Sequence, residues 1–281
     1  MHIDRVVPSG LLAHARSFLA GEREVAAAKG AATVVLLRSG LAGLEVYLLR
    51  RHLAMAFAAG MYAFPGGTVD VRDSDAAVAW AGPTPAGWAR RLSCAEDEAR
   101  ALVCAAVRET FEESGVLLAG ETPDTVVADT TGDEWELDRV ALVDRSLSFS
   151  DLLDRRGLVL RTDLLAAWAH WITPEFEPRR YDTRFFLARM PSGQLTRDVS
   201  GEADRVAWMR PHDALAGVDT GDMQMLPPTY VTLTEMARYA TPAEAFAAGD
   251  SRSITTIMPG VQVVDGAVMF TGMTGSSSAD T

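Results

Sequence analysis

One long amphipathic segment, residues 95–114, constrains the fold more than any other feature of the sequence. Its apolar residues recur at intervals of three and four: Ala99, Leu102, Val103, Ala106, Val107 and Phe111. This spacing predicts a helix with one buried face, and Gly115 provides its C-terminal stop. Such a helix needs a second layer to cover its apolar stripe.

Runs of β-type residues supply that second layer. They occupy residues 31–37, 44–51, 183–190 and 205–209, and a Gly-containing turn joins the first two as a hairpin. Further helices are predicted at 11–29, 151–156, 164–168, 229–239 and 242–248, and a final hairpin at 261–270. Because helices and strands are interleaved without strict βαβ alternation, the sequence predicts an α/β fold with a mixed sheet and helices on both faces.

Composition limits the classes of binding partner and the cellular compartment that we expect for this protein. Lys and Arg number 26 against 38 Asp and Glu, for a net charge of −12, so nucleic-acid binding is not expected. There is no apolar run of about 18 residues and no signal-peptide pattern, so no membrane partner is expected. Cys94 and Cys104 are ten positions apart on what is predicted to be one helix, which separates them by about 15 Å, too far for a disulfide. Two unpaired thiols favour a reducing compartment, and we predict a soluble, cytoplasmic protein.

Three glutamates give the long helix its chemistry. Glu109, Glu112 and Glu113 stand at i, i+3 and i+4 and therefore project from one helical face. Like charges at these spacings repel, and the C-terminal end of a helix disfavours negative charge. A hard divalent cation such as Mg²⁺, which prefers oxygen ligands, would compensate for both effects. The alternative is a solvated acidic face.

A glycine turn upstream and the glutamate segment together resemble a known signature. Pro65-Gly66-Gly67 ends a short apolar run, and Arg108-Glu109-Thr110-Phe111-Glu112-Glu113-Ser114-Gly115-Val116 follows later. Together these two segments are similar to the signature of the Nudix hydrolase family. That signature consists of a Gly, followed later in the chain by Arg-Glu-apolar-X-Glu-Glu-X-Gly-apolar. Gly67 and Arg108 are 41 positions apart, so a long insertion interrupts the signature, and Arg100 stands where its first Glu would fall.

An insertion at this place is typical of the coenzyme A diphosphatase-like branch of the family. Residues 63–70, 171–174 and 180–188 are similar to that branch, and residues 202–211 resemble the strand that follows in Nudix domains. The resemblance implies a single Nudix-type α/β/α sandwich over residues 1–281. Its parts would be a core at about 30–217, a helical insertion at about 68–97 and a C-terminal helical extension at 218–281.

The resemblance also implies roles for the signature residues. Glu109, Glu112 and Glu113 would hold Mg²⁺ or Mn²⁺ against a diphosphate. Arg108 would orient a carboxylate through a bidentate pair, with a plain surface salt bridge as the alternative. Gly66 and Gly67 would let the backbone approach the phosphates closely.

Residues outside the signature complete the predicted site. The general base would be a signature glutamate or a carboxylate from a distant loop, for which Glu202 is the candidate; a solvated loop residue is the alternative for Glu202. Arg180 and Arg184 would bind substrate phosphates. They share one face of an extended segment with Asp182, so pairing among these side chains is the alternative.

We therefore predict a Nudix diphosphohydrolase that uses Mg²⁺ or Mn²⁺ to hydrolyse a nucleoside diphosphate linked to another group. Coenzyme A or an acyl-coenzyme A is the favoured substrate, ahead of nucleotide sugars, ADP-ribose, dinucleotides and nucleoside triphosphates. The sequence leaves two alternative functions. The first is a nucleotide-binding protein without catalysis. The second is an interaction module that contacts a partner through the Trp-rich insertion, so that deletion of the insertion would abolish this contact and leave hydrolysis unchanged. The predicted partner is a small nucleotide, and a homodimer is one assembly that the sequence allows.

Overall fold

The computed structural model describes residues 7, 9–54, 58–199, 201 and 203–272. The strands are β1 (Ala28–Gly40), β2 (Gly43–Arg51), β3 (Tyr62–Ala63), β4 (Gly66–Thr68), β5 (Trp80–Ala81), β6 (Ala119–Gly120), β7 (Val159–Arg161), β8 (Leu165–Ile172), β9 (Arg180–Arg189), β10 (Ala203–Met209), β11 (Thr256–Ile257), β12 (Gly260–Val264) and β13 (Ala267–Thr271). The helices are α1 (Ser9–Leu19), α2 (Pro85–Leu92), α3 (Glu96–Ser114), α4 (Asp133–Val143), α5 (Phe149–Arg155), α6 (Pro211–Thr220), α7 (Pro227–Met236) and α8 (Pro242–Ser251).

Strand β1 organises the main sheet. Eight strands in the described part of the chain form this sheet in the order β10-β2-β1-β9-β8-β11, with β3 beside β2 and β4 beside β1. β1 is antiparallel to β2 and to β4, and it is parallel to β9 from the pair Ala28–Arg180 to the pair Leu37–Arg189. The predicted hairpin of the first two strands and the predicted mixed sheet are therefore both confirmed.

Helices cover both faces of this sheet, as predicted. Side chains alternate along β1, so Val34 and Leu36 pack on the α3 side while Val35 and Leu37 pack on the other. On the α3 side the core includes Val103, Val107 and Phe111 of the long helix, all fully buried: these are three of the apolar positions that defined its stripe. On the opposite side the core includes buried residues of α6, α7 and α8.

The segment between the two halves of the signature is part of the core. Its 3₁₀ turn, Val71–Ser74, begins with a capping box between Asp70 and Asp73. Helix α2 follows, and Trp88 on it is fully buried, with its ring 5.7 Å from that of Phe186 on β9. This packing argues against the alternative in which the insertion serves only as an interaction module. Deletion of a segment that contains Trp88 would open the core and therefore affect the whole domain.

Three predictions about secondary structure are wrong. The helix predicted at 11–29 ends at Leu19, just before Gly21, which is left-handed with φ 72°, and β1 begins at Ala28, where pairing with β9 begins. The helix predicted at 164–168 is the start of β8, which pairs with β9. Cys94 does not share a helix with Cys104: α2 ends at Leu92, Ser93 is left-handed with φ 53°, and α3 begins at Glu96. Both cysteines are free, as predicted.

None of the helices in the described ranges is both long enough and apolar enough to cross a membrane.

The burial of Trp88 generates a stability prediction. Trp88→Ala should lower the free energy of unfolding by about 3–5 kcal/mol, because it leaves a cavity in the core. Leu137→Ala is the control, since Leu137 is 71% exposed, and a surface substitution of this kind changes stability by about 0.5 kcal/mol or less. Urea unfolding followed by tryptophan fluorescence and circular dichroism measures both. Equal unfolding midpoints for the two variants would show that the insertion is not part of the cooperative core.

Candidate functional site

The C-terminal half of α3 carries the three glutamates as predicted. Glu109, Glu112 and Glu113 lie in the last two turns of the helix, and Glu109 and Glu112 each have about 12% of their side chain exposed. Gly115 ends the helix in the left-handed conformation, with φ 75°, and its N–H donates to the Phe111 carbonyl. Glycine is the residue that adopts this conformation without a steric cost.

Strand β4 lies directly against these carboxylates. The backbone N–H of Gly66 donates to Glu113 Oε2 over 2.8 Å. A Cβ atom at Gly67 would lie 2.5 Å from Glu109 Oε1, which is closer than carbon and oxygen can approach. The two glycines thus let the backbone approach the protein's own glutamates; their predicted contact with substrate phosphates stays a prediction.

Arg108 connects the glutamates to the insertion. Its Nε and Nη2 atoms donate to the two oxygens of Asp73, each over 3.0 Å, in a bidentate pair. Its Nη1 atom donates to Glu109 Oε1 over 2.8 Å and to Glu112 Oε1 over 3.0 Å, and Nη2 also donates to the Thr68 carbonyl. All five N–H groups of the guanidinium therefore have acceptors.

Burial sets the electrostatics of these carboxylates. Desolvation raises the pKa of Glu109 to about 7, although the nearby Arg108 opposes the rise and Glu112 adds to it. Desolvation also raises the pKa of Glu112, again against the effect of Arg108. One arginine therefore compensates only partly for two buried carboxylates, and a further cation would stabilise their charged forms.

Two more arginines offset negative charge at the end of α3. Arg139 of α4 is buried and donates through Nη1 to the Glu112 carbonyl over 2.8 Å. The guanidinium of Arg197 lies against Gly115, where an added Cβ would be 2.8 Å from its Nε atom. Arg139 and Arg197 both pair with Glu136, which fixes their positions. These contacts counter the unfavourable interaction of the glutamates with the helix dipole.

The donor chemistry of the site fits a hard divalent cation. Carboxylate oxygens are the ligands that Mg²⁺ and Mn²⁺ prefer, and Arg108 contacts only one oxygen each of Glu109 and Glu112. Among the described residues, however, no three His, Cys, Asp or Glu side chains are arranged as a ready-made metal site. Binding would therefore require the carboxylates to turn toward a shared ion, and their role as metal ligands stays a prediction.

The predicted phosphate-binding arginines make internal contacts. Arg180 is buried and donates to the carbonyls of Thr173 and Ala26 over 3.0 and 2.7 Å. Arg184 is also buried, and it contacts Asp182 and His170. For Arg184, the structure therefore has the alternative arrangement, in which the side chains on the shared face pair with one another. These contacts do not favour phosphate binding by either arginine.

The candidate loop base, Glu202, lies outside the described residues. Its predicted role therefore stays a prediction.

With this geometry, comparison with known proteins is decisive for the family. The family model described as the NUDT19 Nudix domain matches residues 89–238, more than half of the chain. The chain belongs to the Nudix family. The predicted resemblance to this family and to its coenzyme A diphosphatase-like branch is thereby confirmed.

Several relatives share this similarity. The chain is 25% identical over 232 residues to a protein of Xenopus laevis named acyl-coenzyme A diphosphatase NUDT19, and the match covers 70% of this chain and 60% of that protein. A protein of the same name from Gallus gallus is 25% identical over 238 residues, which covers 70% of this chain and 62% of that protein. The chain thus matches less than two thirds of the length of these curated relatives.

A solved structure supports the fold. The crystal structure of a Nudix hydrolase from Alicyclobacillus acidocaldarius superposes with a TM-score of 0.69 at 28% identity, covering 80% of this chain and 97% of that one. The Nudix-type α/β/α fold predicted from the sequence is confirmed.

Sequence reasoning did not find three residues of this Nudix site. Asp73 is 2% exposed and forms the bidentate pair with Arg108, while Arg139 and Arg197 support the end of α3. The Asp-X-X-Asp spacing of Asp70 and Asp73 is a capping signal that could have located the turn. The sequence holds no comparable signal for the two arginines, which come from distant segments.

The close approach of β4 gives a contrast between two glycine variants. Gly67→Ala should keep the fold but displace the flexible Glu109 carboxylate, and a displacement of this size lowers activity by about 100-fold. Gly66→Ala should destabilise the fold, because its Cβ would lie 2.4 Å from the Ala32 carbonyl oxygen, a backbone atom. Thermal unfolding and Mn²⁺ binding followed by electron paramagnetic resonance measure the two effects.

The control for these variants is Gly87→Ala, where the added Cβ would make only an ordinary contact of 3.5 Å with Thr84 Oγ1. It should bind Mn²⁺ as the wild type does. If Gly67→Ala behaved like Gly87→Ala in both measurements, the contact between β4 and Glu109 would have no role in the site.

The Asp73–Arg108 pair generates a second prediction. Asp73→Asn should lower the free energy of unfolding by about 3 kcal/mol, because it leaves the buried guanidinium with an incomplete set of partners. Asp75→Asn should cause a much smaller loss, since Asp75 is exposed on the same turn. Chemical denaturation compares the two variants, and equal losses would mean that Arg108 does not depend on Asp73.

Proposed function

We propose that the protein is a metal-dependent hydrolase of a nucleoside diphosphate linked to another group, with coenzyme A or an acyl-coenzyme A as its substrate. The observation that carries this proposal is the cluster in which Arg108 contacts Glu109 and Glu112 while β4 contacts Glu109 and Glu113. Every charged position of the second half of the signature is present in this cluster.

The chemistry would be a hydrolysis at phosphorus. A water oxygen forms a bond to one phosphorus of the diphosphate, the bridging P–O bond breaks, and the other phosphate leaves with the bond electrons. Mg²⁺ or Mn²⁺ held by Glu109, Glu112 and Glu113 would supply neutralisation of the charge on the phosphoryl oxygens. Arg108 would position the carboxylates through its fixed set of five donors.

The proton of the attacking water needs an acceptor among the protein's carboxylates. One candidate is one of the three signature glutamates, which lie together at the proposed site of the diphosphate. The other candidate is Glu202. A Glu202→Gln variant that retains full turnover would leave the role to a signature glutamate.

The substrate assignment rests on the relatives. Two curated relatives are named acyl-coenzyme A diphosphatase, and we infer the same substrate class for this chain. Hydrolysis would give adenosine 3′,5′-bisphosphate and a phosphopantetheine or its acyl thioester. Nucleotide sugars, ADP-ribose, dinucleotides and nucleoside triphosphates are the alternative substrates for the same chemistry.

A second candidate function is nucleotide binding without turnover. One observation favours it: in the described residues the carboxylates are not arranged as a ready-made metal site. The presence of all three signature glutamates favours an enzyme instead, because a protein that only binds nucleotides has no need for three buried, mutually repelling carboxylates.

We also propose a reducing, cytoplasmic location, which the free cysteines Cys94 and Cys104 support. A homodimer stays a prediction, to be tested by light scattering.

Removal of one charge from the cluster tests the proposed reaction. Glu112→Gln should lower turnover by more than about 100-fold without loss of fold, since even groups outside the first ligand shell contribute about 10–100-fold. Glu96→Gln is the control, because Glu96 is an exposed glutamate at the other end of the same helix. Turnover is measured by product mass on a panel of diphosphates with Mg²⁺ and with Mn²⁺.

The panel contains coenzyme A, an acyl-coenzyme A, ADP-ribose, a nucleotide sugar and a dinucleotide. Cleavage of coenzyme A compounds at the diphosphate is the expected result. Preferential cleavage of another member would correct the substrate. Absence of any cleavage by the wild type, with nucleotide binding intact, would favour the non-catalytic function.

A further inference from the structure

A cleft of about 720 Å³ lies beside the Arg108 cluster. Residues of β1, β4, the 3₁₀ turn, α3 and the end of α4 form its walls. They are Lys29, Gly30, Thr68, Val69, Asp70, Val71, Glu98, Ala101, Leu102 and Arg145. The cleft adjoins the cluster directly, because the Thr68 carbonyl in its wall accepts a hydrogen bond from Arg108.

Two cations in the cleft have no anionic partner among the residues that the structure describes. Lys29 is the only lysine of the chain, and Arg145 follows α4; both are exposed. Within the described ranges, neither side chain makes an ion pair or hydrogen bond, whereas Arg72 beside them is bound to both oxygens of Asp70. In a protein with a net charge of −12, two unpaired cations that face one cavity indicate an anionic ligand.

The acidic groups of the cleft do not neutralise these cations. Asp70 is held by Arg72, whose hydrogen bond keeps the pKa of that carboxyl far below its usual range. Glu98 is half exposed, and its carboxylate lies 4.0 Å from the guanidinium of Arg184. Both acids thus have other cationic partners, and Lys29 and Arg145 keep their positive charges available.

The backbone of Arg145 has a conformation that calls for a reason. Its φ is +59°, in the left-handed region where glycine is the usual residue after a helix. The Arg145 carbonyl accepts a hydrogen bond from Arg72 Nη1 over 3.1 Å, which fixes this turn against the wall of the cleft. A long cationic side chain at a strained position is consistent with selection for its charge.

The distance between the cleft and the glutamates limits the ligand. Leu102 and Glu98 of the cleft precede Glu109 on α3 by seven and eleven positions, so along the helix axis they lie about 10–16 Å from it. A diphosphate at the glutamates therefore does not also reach the end of the cleft at Leu102 and Glu98. A nucleotide that carries another anionic group away from its diphosphate can do so.

We propose that this cleft binds a second phosphate group of the substrate, a monoester remote from the diphosphate, through Lys29 and Arg145. This inference rests on the proposed function, since it takes the diphosphate to lie at the glutamates. Lys29 and Arg145 would then determine specificity, because they select nucleotides that carry the additional phosphate.

Binding of two products tests this proposal without any need for turnover. Adenosine 3′,5′-bisphosphate carries a second phosphate on its ribose, and adenosine 5′-monophosphate lacks it. Calorimetric titration with Mg²⁺ present should show tighter binding of the bisphosphate to the wild type. Lys29→Ala and Arg145→Ala should each weaken bisphosphate binding about fivefold, the size of one solvent-exposed charge contact, and leave monophosphate binding unchanged.

The control is Arg238→Ala, which removes an exposed positive charge outside the cleft and should bind both nucleotides as the wild type does. The proposal is overturned if the wild type binds the two nucleotides equally, or if bisphosphate binding is the same in the Lys29 and Arg145 variants as in the wild type. Failure of the proposed hydrolysis would be seen separately, as absence of turnover on the diphosphate panel.

Discussion

The site depends on a single guanidinium group that uses every hydrogen-bond donor it has. Arg108 binds Asp73 of the insertion, the Thr68 carbonyl of β4, and two glutamates of its own helix. It therefore joins the adjacent β4 and 3₁₀ turn to the C-terminal half of α3, which follows them in the chain by 35 to 40 positions. It also makes it possible for carboxylates at neighbouring helical positions to lie side by side in a place where burial, mutual repulsion and the helix dipole all oppose their charge.

The sequence predicted the parts of the fold that local patterns determine. The apolar spacing of α3, its stop at Gly115 and the first hairpin all follow from near neighbours in the chain, and the structure has all three. The start of β8 was predicted wrongly because this alanine-containing segment has helical propensity, and only its pairing with β9 makes it extended. The end of α1 was predicted wrongly because the helix stops at the left-handed Gly21, well before the alanines that precede β1. The same limit applies to the site: the capping spacing of Asp70 and Asp73 could locate a turn, but no local pattern indicates that Asp73 pairs with Arg108, which lies 35 positions away.

Charged groups occupy both ends of α3 but have different surroundings. At the C-terminal end, three glutamates face β4 and arginines from α4 and the following segments. Near the N-terminal end, Arg184 contacts His170 and Asp182, and His170 also contacts Thr256 of β11 over 2.7 Å. This second group links β8, β9 and β11 and stabilises the sheet. It explains why Arg184, which the sequence suggested for substrate binding, is buried against protein groups.

The parallel pairing of β1 with β9 has a consequence for how the chain acquires its structure. Ala28 pairs with Arg180 and Leu37 with Arg189, so β1 is synthesised 152 residues before the strand with which it pairs in parallel. Contacts between such distant segments form slowly and leave apolar edges uncovered in the meantime. A nascent chain that stalls before β9 would leave one edge of β1 unpaired and would leave uncovered the face on which α6, α7 and α8 later pack, and an uncovered apolar strand of this kind is prone to aggregation.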